Sequence, residues 1–264
     1  MIRLDLFLAG MMPGAVRSRT EAQQLIRNGK VMLDGKTVLL PSFPVAEDTD
    51  PSRVTLLRAE ESYASRGGLK LAAALRAFPA SPNGLVCLDV GASTGGFTDC
   101  LLRHGAGHVY ALDAGSGQLI DTLRADSRVT VYENYNARAL DIRDFPLGVE
   151  FATMDVSFIS QTLILPSLTA LLPCGGSLIT LVKPQFELDR SALGKKGIVK
   201  NDALRKKALR RVLDCAAGLG LDCMGQIQSP ISGGDGNIEY LIYFRKGESD
   251  EHQKSDSDSE RAKG

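Results

Sequence analysis

Four charged side chains fall where the surrounding pattern would bury them. Asp155 follows an apolar run in Met154-Asp155-Val156-Ser157, and Lys183 ends another in Leu181-Val182-Lys183-Pro184. Glu239 alternates with apolar neighbours in Asn237-Ile238-Glu239-Tyr240-Leu241, and Lys70 opens a helical stretch after Ser65-Arg66-Gly67-Gly68-Leu69. Buried charges persist chiefly when paired, and two lysines with two carboxylates sum to zero. A lysine held beside a carboxylate at a ligand crevice can take a proton or stabilise a developing oxyanion. The chemistry on offer is activation of a weak nucleophile.

A second cluster reads as a ligand cradle. In Leu88-Asp89-Val90-Gly91-Ala92-Ser93-Thr94-Gly95-Gly96-Phe97-Thr98 a strand runs into glycines and then opens a helix. Such a turn lets a ligand approach the backbone, so Gly91, Ala92, Ser93, Thr94, Gly95, Gly96 and Phe97 are cofactor candidates. The G-x3-G-G spacing is not the G-x-G-x-x-G that cradles a pyrophosphate, and no Walker lysine follows. Asp89 suits an ammonium group on the ligand, and Asp113, ending the next strand, suits a ribose diol. Asn136, just past the third strand, can approach an adenine, although asparagine also serves turns. S-adenosylmethionine (SAM), the expected cofactor, is one ligand whose methionine end bears such an ammonium group.

These residues can meet only if the intervening chain forms an open sheet. Strands are predicted at Leu85–Val90, His108–Leu112, Val129–Glu133, Phe151–Met154 and Ser177–Val182, with helices near 95–104, 117–125, 159–171 and 202–218. Two closing strands, near 222–228 and 238–245, have no helix between them and predict an antiparallel hairpin at the sheet edge. Alternation implies a mostly parallel sheet covered on both faces, with Asp155 and Lys183 at strand ends facing the ligand crevice. The expected fold is α/β: a doubly wound, mostly parallel, seven-stranded Rossmann-like domain of the SAM-dependent methyltransferase kind.

Ahead of it lies a smaller α+β pattern. Arg3 to Ala9 reads as a short amphipathic helix ended by Gly10. Ser18-Arg19-Thr20-Glu21 matches a capping box, and Ala22, Leu25 and Ile26 recur at helical spacing until Asn28-Gly29. Val31-Met32-Leu33, Asp34-Gly35 and Lys36-Thr37-Val38 predict a tight hairpin. Pro41 to Pro51 reads as a linker region.

The net charge is zero, yet charge is unevenly spread. Residues 190–211 carry nine Lys or Arg against one Asp, while 247–264 hold six Asp or Glu in a tail too polar to fold. The neutral sum therefore hides a basic body able to attract phosphate. Arg17, Arg19, Arg27 and Lys30 cluster in the small unit, Arg66 precedes Lys70, and Gly194-Lys195-Lys196-Gly197-Ile198-Val199-Lys200 is a basic loop. Lys195, Lys196 and Lys200 are expected over a nucleic-acid backbone. No apolar run approaches the roughly 20 residues that cross a bilayer, and Asp5 interrupts any leader, so no membrane contact and a cytoplasmic location are expected. The five cysteines form no CxxC pair and sit among apolar residues, reading as reduced core thiols. With three scattered histidines, no metal is expected.

The order RLDxxL, then SRxxAxxLIxxGxVxxDGK, resembles the ribosomal S4-like RNA-binding domain over about residues 1–60. That implies contact with structured RNA through shape and backbone, with Arg17, Arg19, Arg27 and Lys30 as contacts. SRGGLKL, DVGASTGGFT, LDAGSGQL, MDVSFIS, LVKPQFE and GNIEY, in this order, resemble the TlyA family, relatives of the FtsJ-like ribose 2'-O-methyltransferases. The resemblance spans about residues 1–246 and implies a Lys-Asp-Lys-Glu tetrad on Lys70, Asp155, Lys183 and Glu239. It further implies SAM as methyl donor and cytidine ribose in ribosomal RNA, free or in assembled subunits, as acceptor. Asp155 would orient Lys183 near the sulfonium, and Glu239 would orient Lys70 or the ribose; either lysine can take the proton. The implied layout is an S4-like domain at 1–60, a linker at 61–65, a methyltransferase domain at 66–246 and an acidic tail at 247–264. Members often carry an Arg-Ala-Trp-Val-like stretch in the linker, where this chain reads Glu61-Ser62-Tyr63-Ala64.

Three other readings compete. An RNA-binding protein with an inactive methyltransferase fold would not need the intact tetrad. A protein or small-molecule methyltransferase would not need an RNA-gripping module, and the Asn/Asp-Pro-Pro-Tyr/Phe motif of many nitrogen methylators is missing. A membrane-lytic haemolysin, the old label of some family members, would need a segment that enters a bilayer.

Overall fold

The computed structural model describes residues 1–12, 15–57, 63–194, 197–233 and 236–247. The chain divides into two compact units, Met1–Leu69 and Lys70–Gly264. The acidic tail beyond Gly247, linker positions 61 and 62, and the basic pair Lys195 and Lys196 lie outside the described residues.

The first unit runs β1 (Ile2–Arg3), α1 (Leu4–Met11), α2 (Arg19–Arg27), β2 (Val31–Leu33), β3 (Lys36–Thr37), β4 (Pro44–Val45) and β5 (Val54–Leu56). Ser18 caps α2 by accepting the Glu21 N–H at 3.1 Å, a contact worth about 1 kcal/mol. The return arm of the expected capping box lands one residue early, on the Arg17 N–H at 2.7 Å. Asp34 and Gly35, at φ 51° and 73°, make the two-residue turn between β2 and β3. Ala22 and Ile26 bury one face of α2 against Leu4, Phe7 and Leu8 of α1 in a shared core.

Two expectations for this unit are corrected. Gly10 does not end the first helix, because the Met12 N–H still reaches the Leu8 carbonyl at 3.1 Å. Residues 41–51 are not a linker. β4 pairs with β1, Val45 enters the core, and the Pro41 and Phe43 carbonyls accept the Asp5 and Leu4 N–H groups, so the segment is packed into the unit.

The second unit follows α3 (Gly67–Ala77) with β6 (Val86–Val90), α4 (Gly96–Arg103), β7 (His108–Leu112), α5 (Asp121–Arg124), β8 (Val129–Tyr132) and β9 (Phe151–Met154). It continues with α6 (Leu165–Leu171), β10 (Ser177–Val182), α7 (Pro184–Glu187), α8 (Asp202–Gly218), β11 (Leu221–Gln228) and β12 (Tyr240–Lys246). The seven strands are ordered β11-β12-β10-β9-β6-β7-β8, and β12 alone runs antiparallel to its neighbours. The strand order reverses between β6 and β9, which opens a crevice at their C-terminal ends.

Helix lengths depart from the prediction where side chains take up the backbone. The helix near 117–125 shrinks to α5, since Asp113 accepts the Gly115 N–H and Glu133 accepts the Gly117 N–H. The helix near 159–171 splits into a single tight turn, Gln161–Leu163, and α6, where Pro166 sits in the first turn and cannot donate. Glu239 immediately precedes β12 instead of lying within it. Cys87 and Cys100 are buried as their apolar neighbours imply, whereas Cys174 and Cys223 are exposed.

Candidate active site

Beyond the C-terminal ends of β6, β7 and β9 lies a hollow of about 410 Å³, within the range of small-molecule sites. Gly91 makes it possible. Its φ of +88° favours glycine, and a Cβ there would collide with the Asp155 carbonyl. Gly95, at φ +98°, caps the start of α4 where a Cβ would strike Leu123. The Asp113 carboxylate ties two loops together, accepting the Ser93 N–H at 2.8 Å and the Gly115 N–H at 2.7 Å. Asn136 accepts the Arg138 N–H at 3.1 Å through Oδ1, so its amide N–H groups are not used in that contact.

Gly91, Ser93, Asp113, Asn136 and Asp155 line this hollow. Ala92 borders a smaller void beside Ser93 and Asp113. Thr94, Gly95, Gly96 and Phe97 are outside the lining; they form the turn and first turn of α4 behind it. Asp89 is a correction. It is fully buried and accepts the Thr98 and Thr153 hydroxyls at 2.7 and 3.0 Å, so it stands behind the cradle and not in it. Burial pushes its carboxyl up to about 7, against the pull of the two hydroxyls.

The four charged residues form two ion pairs. Lys70 Nζ donates to Glu239 Oε2 at 2.6 Å, with side chains only 11% and 3% exposed. Lys183 Nζ lies 2.6 Å from Asp155 Oδ1 and directs its hydrogen bond to Ser157 Oγ at 3.0 Å. The Phe186 ring centre is 6.0 Å from the same nitrogen. Asn237 braces the Glu239 side: its Oδ1 accepts the Val199 N–H at 2.9 Å and its Nδ2 donates to the Gly197 carbonyl at 3.1 Å. The basic loop and the Glu239 segment are thereby joined. Lys200 in that loop is exposed.

Of the first unit's cations, Arg17 and Arg27 are exposed and Lys30 and Arg66 are half-buried. Arg19 is engaged at home, its Nε 3.1 Å from the buried Asp5 carboxylate. Hydrogen bonds from Arg3, Gln23 and Arg19 hold the Asp5 carboxyl well below the usual carboxylate range, despite its burial.

Sequence reasoning passed over Gln118, Ser157 and Phe158. Gln118 accepts from Ser93 Oγ at 3.0 Å, and Ser157 holds Lys183. Phe158 is 91% exposed at the rim, stands at φ +64° and packs on Phe186 with ring centres 5.1 Å apart. A bulky residue in the left-handed region is strained, and such strain gathers at functional loops. Its aromatic type was the one signal in the sequence. Among the described residues no group of three or more His, Cys, Asp or Glu side chains is placed to hold a metal, and no helix is long and apolar enough to cross a membrane.

Comparison with known proteins follows the same division. The FtsJ-like methyltransferase family matches residues 63–246, and the S4 domain matches residues 2–50. The 16S/23S rRNA (cytidine-2'-O)-methyltransferase TlyA of Mycobacterium tuberculosis is 41% identical over 88% of this chain and 86% of its own length. Hemolysin A of Brachyspira hyodysenteriae is 41% identical over 92% of this chain and 99% of its own. A solved structure from Streptococcus thermophilus is 40% identical, with a TM-score of 0.71 over 94% of this chain and 89% of that one.

Proposed function

This chain belongs to the FtsJ-like methyltransferase family and carries an S4 domain ahead of it, and from that premise we propose that it methylates a ribose 2'-hydroxyl of ribosomal RNA, on cytidine, using SAM. The observation that carries the reading is the Asp155–Lys183 pair, with Asp155 in the lining of the hollow that the bare Gly91 backbone opens.

The residues present fit SAM. The hollow is of small-molecule size, the Gly91 turn leaves backbone accessible, and the oxygens of Asp113 keep lone pairs beyond their two N–H partners. Asp113 would take the ribose diol, Asn136 the adenine edge, and the Gly91–Ser93 backbone the methionine end. Asp89 would act from behind, holding Thr98 and Thr153 in place. When bound, SAM supplies an electrophilic methyl on a sulfonium.

A ribose hydroxyl is a weak nucleophile, so alignment supplies much of the rate. Lys183 is the residue we assign to its proton or its developing alkoxide, a role worth about 10²–10⁴-fold. Asp155 and Ser157 hold that nitrogen in position. The Lys70–Glu239 pair would orient the ribose from the other side. Phe158 offers an exposed ring on which a base drawn out of its stack can lie. Residues 1–60 would grip structured RNA through Arg17, Arg27 and Lys30, joined by 61–65 to the catalytic part at 66–246, where Arg66 and the 194–200 loop add phosphate contacts. The test is methylation of isolated 30S subunits, 50S subunits and free rRNA with tritiated SAM, followed by mapping of the labelled nucleotide. Label resistant to RNase, or carried on a base and not on a ribose, overturns the reading.

A further inference from the structure

Four residues after Lys183 comes a carboxylate that the proposed chemistry does not use. Glu187 closes α7 and is only 2% exposed. Its Oε2 accepts the Ser160 hydroxyl at 2.5 Å and its Oε1 accepts the Gln161 N–H at 2.8 Å. Both donors are neutral. Burial pushes the carboxyl up, against those two hydrogen bonds and the nearby Arg211 charge. Burying a carboxylate on neutral partners is a poor route to stability, so its geometry needs another explanation.

Two segments meet at Glu187. One is the loop from Asp155 to Ser160, which carries Ser157 and the strained Phe158. The other is β10 with α7, between which Lys183 sits as the residue that starts the helix. Gln161, itself 2% exposed, extends the junction by donating to the Leu181 carbonyl at 2.6 Å and accepting the Thr180 hydroxyl at 2.8 Å. The loop is therefore anchored at its start through Asp155 to Lys183, and at its end through Ser160 and Gln161 to Glu187. Phe158 at φ +64° lies between the two anchors and is free to relax if either lets go.

We propose that Glu187 is a positioning residue for methyl transfer, its carboxylate clamping the loop of Asp155, Ser157 and Phe158 onto the helix that begins at Lys183. It touches no reacting atom. It sets the distance at which Lys183 meets the ribose hydroxyl, and so rests on the function proposed above. Loss of the clamp should cost turnover, because a misplacement of about 1 Å lowers rate by about 10²-fold.

Glu187→Ala and Glu187→Gln in the full chain test this, with kcat and KM for rRNA, the Kd of SAM and the unfolding midpoint measured together. Glu187→Ala should lower kcat by about 10–100-fold, a larger loss than the change in the Kd of SAM, whose hollow the same loop also lines. Glu187→Gln should recover most of kcat, since its carbonyl can accept the Gln161 N–H while its amide donates to Ser160 Oγ. A Glu187→Ala enzyme with unchanged kcat overturns the inference, and so does a Glu187→Gln enzyme as poor as the alanine variant, which would point to a need for charge. If Glu187→Ala does not fold, Ser160→Ala removes one anchor from the loop side and should lower kcat several-fold; unchanged turnover there also overturns it. A wild-type chain that fails to methylate RNA would instead remove the functional reading, independently of these comparisons.

Discussion

Replacing Lys70 by methionine removes one charge from the least exposed ion pair of the site. Methionine fills most of the space of the lysine stem, so the packing loss is small and the electrostatic loss dominates. Glu239, 3% exposed, then lacks the ammonium that stood 2.6 Å away. Stranding a buried charge in this way costs about 3–5 kcal/mol. In a unit of this size about 1 kcal/mol shifts the unfolding midpoint by roughly 2–4 °C, so a fall of about 6–20 °C is expected. Lys183→Met is the internal control. Asp155 keeps 19% of its side-chain surface exposed, so the charge left stranded there is less deeply buried than that of Glu239. Its expected cost is about 1–3 kcal/mol, or roughly 2–12 °C. Differential scanning calorimetry of the two full-length variants measures both. A Lys70→Met midpoint within about 2 °C of wild type, or a larger fall for Lys183→Met, would refute the buried-pair argument.

Lys183→Ala should abolish methyl transfer while isothermal titration still detects SAM and filter binding still detects rRNA; transfer at near wild-type rate removes Lys183 from the mechanism. Combining Lys70→Met with Glu239→Leu should restore most of the stability lost in Lys70→Met, because no buried charge is stranded, without restoring activity. A fully active double variant would make the pair purely architectural. Arg17→Ala with Arg27→Ala should weaken rRNA binding and flatten its log–log salt dependence by about 1.4–1.8 if each contacts one phosphate, with SAM affinity unchanged; an unaltered salt slope excludes both contacts. Asp89 is expected to make stability pH-dependent. Its carboxyl is raised in the fold from 3.8 to about 7, so the folded chain binds the extra proton between those values and stability falls as pH rises through that window. Asp89→Asn should flatten this dependence in urea titrations from pH 5 to 8, and a profile identical to wild type would contradict it.

Much of the sheet is legible in the chain because its strands are short apolar runs ending at glycines or charges. Ser177–Val182 and Phe151–Met154 are bounded in this way, each followed directly by a charge, Lys183 and Asp155. Asp89 misleads for a related reason. Leu88 and Val90, its neighbours on β6, are both fully buried, so a central parallel strand offers no polar alternation to tell which face a residue takes. Partner choice between the lysines and the acids is also hidden, because Lys70 and Glu239 are 169 residues apart and only the assembled sheet brings them together. The left-handed backbone at Phe158 is beyond pattern reading, since phenylalanine normally avoids it. The segment 41–51 reads as a linker because its strand, β4, is two residues long, too short for periodicity to register.

The order of the chain adds a constraint on when the site exists. Lys70 lies on α3, at the start of the second unit, and its partner precedes β12, the last strand. β12 inserts between β10 and β11, pairing with both, so Glu239 reaches Lys70 only once the sheet is closed around that strand. The Asp155–Lys183 pair, by contrast, joins the residues that follow the adjacent parallel strands β9 and β10. One ion pair is therefore assembled by neighbouring strands, and the other by the final pairing of the fold. A buried ion pair contributes little to stability that well-packed apolar residues could not match. Its position at the last seam of the sheet means that Lys70 and Glu239 pair only in a completely folded chain.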